Sequence, residues 1–331
     1  MKHSNVAIFI PHVGCPHLCS FCNQRNISGE NSIPTGEDVK NICFSAINEI
    51  TDKSNAEIAF FGGSFTAIDR TYMIELLSAA SEFVGKGKFK GIRISTRPDY
   101  IDDEVLYILK KYGVTSIELG AQSMSDRVLE ANERGHSAED VRKASLLIKE
   151  HGFELGLQMM VGLYQSTESD DYYTMCEIIA LRPDTVRIYP VVVLKDTQLG
   201  ELYQSGTYKL YDFDKAVEIC ANMLYMFEFM GIKVIRLGLH ASKDVSENAI
   251  AGFYHDSFRE ICESRIFRMK INSLLKEEKG EFFIDVPRGA LSKAIGQKKS
   301  NVEFFKKNGL NICFKENSGL HGYSVSIKEV K

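Results

Sequence analysis

Strand-like and helix-like segments alternate along most of this chain, and that alternation restricts its fold more than any other feature. Val6–Pro11 reads as a strand, Glu37–Ile50 as a helix, Ala56–Phe61 as a strand, Tyr72–Phe83 as a helix, Gly91–Ser95 as a strand and Asp102–Tyr112 as a helix. The pattern continues through Ser116–Gly120, the helix Ala138–Glu150, Glu154–Val161, the helix Asp170–Ala180 and Thr185–Val193. Repeated strand–helix units of about 30 residues predict a parallel sheet with right-handed helical crossovers. Six such units make most of a barrel. Ligands in such sheets sit at the carboxyl ends of the strands, where the informative residues of this chain fall.

Directly after the first strand comes GCPHLCSFCNQRNISG, with Cys15, Cys19 and Cys22 in a Cys-x3-Cys-x2-Cys run. Three thiolates at this spacing can hold three corners of a four-iron four-sulfur cube, and no fourth cysteine follows nearby. One iron then stays open to a substrate or cofactor, as the open position of a catalytic zinc does. A structural zinc site completed by His12 or His17 is the competing reading of the same cysteines. A disulfide framework does not suit eight cysteines spread over 331 residues with no secretory signal, since only a six-residue apolar run follows Met1–Asn5. Cys43, Cys176, Cys220, Cys262 and Cys313 are scattered and read as core thiols, so no second cluster is expected.

This cysteine run, with Phe21 just before its last member, resembles the signature of the radical S-adenosylmethionine enzymes. The resemblance implies a partial (β/α)6 TIM-like barrel, one 4Fe-4S cluster and S-adenosylmethionine bound to its open iron. Reductive cleavage then yields a 5′-deoxyadenosyl radical that takes a hydrogen atom from the substrate, and the electron comes from a donor such as flavodoxin or ferredoxin. The protein binds, orients and shields, while the cofactors carry the hard chemistry.

Further motifs follow the strands in order. Gly62-Gly63-Ser64 closes the second strand, and paired glycines let a ligand approach the backbone. In the family this segment binds the amino group of S-adenosylmethionine, although a Gly-Gly pair alone is as easily a turn. Ser95, at the third strand, occupies the place of the ribose contact, and Pro98 and Asp99 beside it equally suit a helix start. Glu118–Ser123 followed by Asn132–His136 resembles the branch that includes the Elongator catalytic subunit and the anaerobic coproporphyrinogen oxidases. By that resemblance Gln122 and Arg134 hold the methionyl part of the cofactor, a role that suits a guanidinium fork facing a carboxylate. Gln158, on the fifth strand, is placed to reach cofactor or substrate, while Met159 and Met160 read as core filler.

The sixth strand, Val186–Thr197, resembles the Elongator pattern Lys-Ile-Tyr-Pro followed by a basic residue and Gly-Thr, and its candidate substrate residues are Arg187, Tyr189 and Lys195. Arg187 stands where the pattern has lysine and Asp196 where it has glycine. Elongator subunits continue into an acetyltransferase domain. The chain after residue 240 is too short to hold one, so acetyl-coenzyme A chemistry is not implied. Instead a helix Asp214–Met230 and a strand Lys233–Leu239 follow the barrel, and a linker or lid at 241–264 carries Tyr254 and His255.

Residues 265–331 read as a separate α+β unit: a strand Glu281–Val286, a helix Ala290–Lys307, and strands Leu310–Phe314 and Tyr323–Ile327. They carry 14 Lys and Arg against 7 Asp and Glu, a balance of +7 that leaves −11 for the rest of a chain whose net charge is −4. Ile295-Gly296-Gln297-Lys298-Lys299 resembles the Ile-Gly-x-x-Gly backbone clamp of KH-type RNA-binding modules, with Lys299 in place of the second glycine. Lys293, Lys298, Lys299, Lys306 and Lys307 form either a phosphate footprint or a solvated basic helix face.

With 44% hydrophobic and 25% charged residues, and no apolar run near the roughly 20 residues that span a bilayer, the expectation is a cytoplasmic enzyme with reduced thiols. A tRNA or other RNA base is the favoured substrate. A small molecule such as a porphyrin precursor or another anaerobic metabolite is the alternative, and a non-catalytic iron-sulfur or zinc protein that binds RNA is the third reading.

Overall fold

In the computed structural model, residues 4–10, 15, 19–23, 33–239, 243–276 and 278–329 are described. His12 and His17, the zinc alternatives, lie outside them. The strand–helix alternation runs β1 (Ser4–Phe9), α1 (Gly36–Glu49), β2 (Ala56–Phe61), α2 (Arg70–Ser81), β3 (Gly91–Thr96), α3 (Asp103–Lys111) and β4 (Val114–Gln122). It continues through α4 (Asp126–Ala131), α5 (Ala138–Glu150), β5 (Glu154–Val161), α6 (Glu168–Leu181), β6 (Thr185–Pro190), β7 (Val192–Leu194), α7 (Gln198–Gln204), α8 (Phe213–Phe229) and β8 (Lys233–Leu237). Capping boxes at Thr35/Asp38, Ser137/Asp140 and Thr167/Asp170 start α1, α5 and α6, satisfying amides that a helix cannot pair internally.

One parallel sheet of seven strands results, in the order β1-β2-β3-β4-β5-β6-β8, and it curls into a half-barrel. The segment Lys233–Leu239, expected after the barrel, is thus in large part its seventh strand. The sixth strand stops at Pro190, short of the expected Val193; Val191 N still donates to Val161 O of β5, but the proline has no N–H to offer β8. Val192–Leu194 pairs antiparallel with β9 (Ala249–Gly252), which follows α9 (Lys243–Asn248).

Successive side chains of a strand point to opposite faces, and this sheet separates its two faces sharply. Ile58 and Phe60 of β2, Ile92 and Ile94 of β3, Ile117 and Leu119 of β4, Leu155 and Leu157 of β5, and Val186 and Ile188 of β6 are buried in one core with residues of the surrounding helices. The alternate positions carry Glu57, Arg93, Ser95, Glu118, Gln158, Arg187 and Arg236. Parallel sheets covered on both faces are ordinarily apolar on both, so this polar concave face is not one that packs under a helix layer.

Beyond the sheet, α10 (Phe258–Leu274) serves two cores. Phe258, Cys262 and Ile266 join the main core, whereas Phe267, Ile271 and Leu275 belong to a second core. That second core covers a three-stranded sheet with β10 (Gly280–Pro287) between β11 (Leu310–Asn317), parallel to it, and β12 (Ser326–Glu329), antiparallel. The strand expected at Tyr323–Ile327 is β12, shifted towards the carboxyl end, and Tyr323 packs instead against Phe267, ring centroids 5.5 Å apart.

The expected helix Ala290–Lys307 is broken. It forms α11 (Leu291–Ile295) and α12 (Ser300–Lys307), separated by a turn in which Gly296, Lys298 and Lys299 all have positive φ, 81°, 50° and 62°. An alanine-like Cβ at Gly296 would lie 2.7 Å from Ser264 Oγ and 2.4 Å from Ser300 Oγ, so the close approach of α10 needs the glycine. Buried Asn301 ties the pieces together: its Nδ2 donates to Ser264 O and Ala294 O, both at 2.9 Å, and its Oδ1 accepts from Arg268 Nε at 2.7 Å. Of the scattered cysteines, Cys43, Cys220 and Cys262 are core thiols as expected, but Cys176 and Cys313 are exposed, on the outward sides of α6 and β11.

Candidate active site

A cavity of about 460 Å³ opens at the carboxyl ends of the strands, and Cys15, Cys19, Phe21 and Cys22 line it. The same walls hold Gly62, Gly63, Ser64, Ser95, Gln122, Arg134, Gln158, Arg187 and Tyr189. Every candidate residue of the barrel except Lys195 therefore faces one space. Lys195 is turned away, its Nζ donating to Glu247 O at 2.9 Å. Tyr254 packs against the cluster of Val192, Leu194 and Val245, and exposed His255 accepts from Ser257 N, so neither lines the cavity.

The cysteine segment is held over the strand ends by one serine. Ser20 N donates to Asn132 O at 3.2 Å and Ser20 Oγ to Asn132 Oδ1 at 2.9 Å, while Leu199 N donates to Ser20 O at 2.7 Å. Asn132 is fully buried and donates onward to Val128 O and Tyr164 O. The Asn132–His136 motif thus supports the thiols through its asparagine and reaches them through its arginine. Arg134 Nη1 donates to Cys19 Sγ at 2.9 Å, Nη2 to Gly120 O at 2.7 Å, and its guanidinium lies 6.0 Å from the Phe21 ring centroid.

The thiols influence one another. Burial pushes the Cys22 thiol up to about 12, with Cys19 and Cys15 adding to the rise and Arg134 opposing it. Burial also raises Cys15, assisted by Cys19 and opposed by Arg97 and Arg134. Such thiols ionise together only beside a compensating positive charge, which bound iron supplies. Among the described residues, no three His, Cys, Asp or Glu side chains gather tightly enough to share a single metal ion.

Further observations fit a polar cofactor against these thiols. Gln122 Oε1 and Arg134 Nε are buried without a hydrogen-bond partner in the protein, and buried polar atoms are rarely left so. Gln122 has φ 64° at a register shift between β4 and β5, a bulge that aims its side chain into the cavity. At Gly62, φ 88°, a Cβ would come within 2.8 Å of Ile10 O, so backbone approaches backbone on the cavity wall. Ser64 is fully buried, and its Oγ accepts from Arg97 N at 3.1 Å, linking the ends of β2 and β3.

Below lies a buried ion-pair network. Glu118 accepts from Arg187 Nε at 2.6 Å and Nη2 at 3.0 Å, from Arg93 Nη1 at 3.2 Å, and from Gln158 Nε2 at 3.0 Å. Burial alone would raise its carboxyl, but the Arg187 and Arg93 charges and the Gln158 amide hold it below the usual carboxylate value. Gln158 is thereby committed chiefly to Glu118, with a long 3.5 Å contact to Ser95 Oγ. Arg187 also lies over the Phe61 ring at 5.3 Å. Sequence reasoning missed Arg236, Asn5, Phe9 and Leu239 on the cavity wall. For Arg236 a signal was available, since in β8 it follows the strand alternation that puts Arg187 on the concave face.

A family model for the radical SAM superfamily matches residues 9–175, and one for the radical SAM carboxyl-terminal domain matches 183–268. The chain belongs to the radical SAM superfamily. This radical SAM enzyme is 27% identical over 256 residues to a tRNA uridine(34) acetyltransferase of Methanocaldococcus infernus, covering 65% of this chain and 48% of that protein. It is 33% identical over 182 residues to Elongator complex protein 3 of Homo sapiens, covering 53% of this chain and 32% of the relative. The chain thus spans about half or less of the length of these curated relatives. A solved Elp3 of Methanocaldococcus infernus, shortened at its amino terminus, shares the fold with a TM-score of 0.65 at 22% identity, covering 82% of this chain and 64% of that one. The Elongator-like reading of the motifs stands on these relatives. No helix among the described residues is long and apolar enough to cross a membrane.

Proposed function

We propose that this radical SAM enzyme modifies a base of an RNA, most simply a tRNA. The observation that carries the catalytic part is the convergence of Cys15, Cys19 and Cys22 with Gly62, Gly63, Gln122 and Arg134 on one cavity. Cys15, Cys19 and Cys22 would hold a 4Fe-4S cluster, and Gly62, Gly63, Gln122 and Arg134 would hold S-adenosylmethionine, with Ser95 reaching the ribose. When bound, these groups supply a 5′-deoxyadenosyl radical that abstracts hydrogen. The protein's own part is to fix Arg134 against Cys19, to present backbone at Gly62 and Gly63, and to close the strand ends over the reacting atoms so that water and stray hydrogen donors are excluded.

Two features support RNA as the substrate. Curated relatives over this region are named as tRNA uridine(34) acetyltransferases. The Gly296–Lys299 turn also joins two helices, as a KH-type clamp does, and Lys299 keeps the left-handed backbone that a glycine would favour there. Lys298 and Lys299 are exposed beside it, whereas Lys293 is paired with Glu263 at 2.8 Å.

The experiment is anaerobic reconstitution with iron and sulfide, reduction with dithionite or a flavodoxin or ferredoxin, addition of S-adenosylmethionine, and assay of 5′-deoxyadenosine with and without bulk tRNA. Product that requires Cys19, lost in Cys19→Ala, and that rises with tRNA is the expected result. Product indifferent to tRNA would leave a radical SAM enzyme with a small-molecule substrate, and absence of both cluster and product would remove the reading.

A further inference from the structure

The charges on the cavity wall do not balance. Among the described residues its lining includes Arg97, Arg134, Arg187 and Arg236, and no aspartate or glutamate. Three of these guanidiniums are accounted for. Arg97 is paired bidentately with Asp99 at 2.9 and 2.8 Å, Arg187 bidentately with Glu118 from below, and Arg134 faces the thiol of Cys19. Among the described residues Arg236 has no carboxylate partner. Its Nε donates to Gly238 O at 3.0 Å, and among the described residues its terminal nitrogens have no hydrogen-bond partner. The side chain is half-buried, in register with Arg187 on the neighbouring strand, and burial together with the Arg187 charge makes its protonated form harder to hold, with only the Tyr189 hydroxyl opposing. A partly desolvated cation next to another cation is costly to keep without a counter-charge.

We infer that Arg236 is the anion subsite of the substrate: the group entering the cavity carries an oxyanion, a phosphate or a carboxylate, that the terminal nitrogens of Arg236 grip bidentately. In sheet order β8 and β1, from which the cysteine segment departs, are the two edge strands, and Arg236 and the thiols line one cavity. Tyr189, half-buried and two residues beyond Arg187 on the same face of β6, stands beside the subsite. A guanidinium fork is suited to either oxyanion, and the two have different sources: a phosphate flanking the modified base of an RNA, or a carboxylate on a small molecule. The inference rests on the location of the cavity in the proposed function but not on its chemistry.

Binding, read without turnover, tests it. The anaerobically reconstituted protein with S-adenosylmethionine is titrated with inorganic phosphate and uridine 5′-monophosphate in one arm and acetate in another, with uridine and acetamide as uncharged counterparts, by calorimetry or ligand-observed NMR. The wild type should bind the charged member of at least one arm, and Arg236→Gln should weaken it by roughly 10- to 100-fold, the range of a charged hydrogen-bonded contact. Arg236→Lys, which keeps the charge and loses the fork, should fall between and carries the test should the glutamine variant fail to fold. Binding confined to the phosphate arm assigns the subsite to a nucleotide, and binding confined to acetate assigns it to a small-molecule carboxylate. Failure of both anions to bind the wild type, or equal binding by wild type and the Arg236 variants, overturns the inference. Neither result depends on 5′-deoxyadenosine, so loss of the subsite and loss of the radical reaction are read separately.

Discussion

Glu118 is the residue on which the concave face depends. It is 1% exposed and receives hydrogen bonds from Arg93, Arg187 and Gln158, so its charge neutralises a buried cation, Arg93, and one on the cavity wall, Arg187. Glu118→Gln keeps the shape and removes the charge, leaving Arg187 with the Tyr189 hydroxyl but no carboxylate and Arg93 with Glu57 and Glu154. Breaking a buried pair on one side costs about 3–5 kcal/mol. A urea denaturation series should show a loss of that size, and Arg187→Met in the same background should recover part of it by removing the orphaned cation. A loss below about 1 kcal/mol, the value of an exposed pair, would mean that water reaches this network.

At the scale of elements, the basic turn between α11 and α12 is the part of the molecule that can be tested apart from the barrel. Lys298→Glu with Lys299→Glu exchanges two exposed positive charges for negative ones without touching either core. Filter binding of bulk tRNA at two salt concentrations should show weaker binding with a shallower salt dependence, because fewer counterions are released per contact. Unchanged binding and slope would assign these lysines to a solvated surface. This turn also shows where sequence reasoning stops. Ala290–Lys307 begins and ends in helix formers, and a propensity argument reads across Gly296 and the residues after it. What breaks the helix is the close approach of Ser264 and the side-chain bonds of Asn301, tertiary contacts that no local window contains. The βα alternation and the cysteine spacing were legible for the opposite reason, since period and spacing are local. Arg236 is legible in principle, but a strand placed after the barrel, as the sequence alone suggests, gives the alternation of its side chains no meaning.

For the whole molecule, the division of α10 between two cores predicts how it unfolds. Phe267 is fully buried in the second core, one residue after Ile266 in the first, and Tyr323 packs against both cores. Phe267→Ala should cost about 3–5 kcal/mol. Because the helix is shared, native-state hydrogen exchange should show amides of both β8 and β10 losing protection together. A fall confined to β10–β12 would instead identify the carboxyl-terminal sheet as an independent unit.

Glu118 has one more effect, and it is geometric. From β4 it holds Arg93 of the adjacent β3 and reaches across β5 to Arg187 of β6, so one carboxylate draws together strands that a flat sheet would keep three places apart. The curvature of the half-barrel is thereby gauged by the reach of two arginine side chains. Lysine at position 187, as in the Elongator pattern, would set the same clasp with a different span, and with it a different aperture at the strand ends.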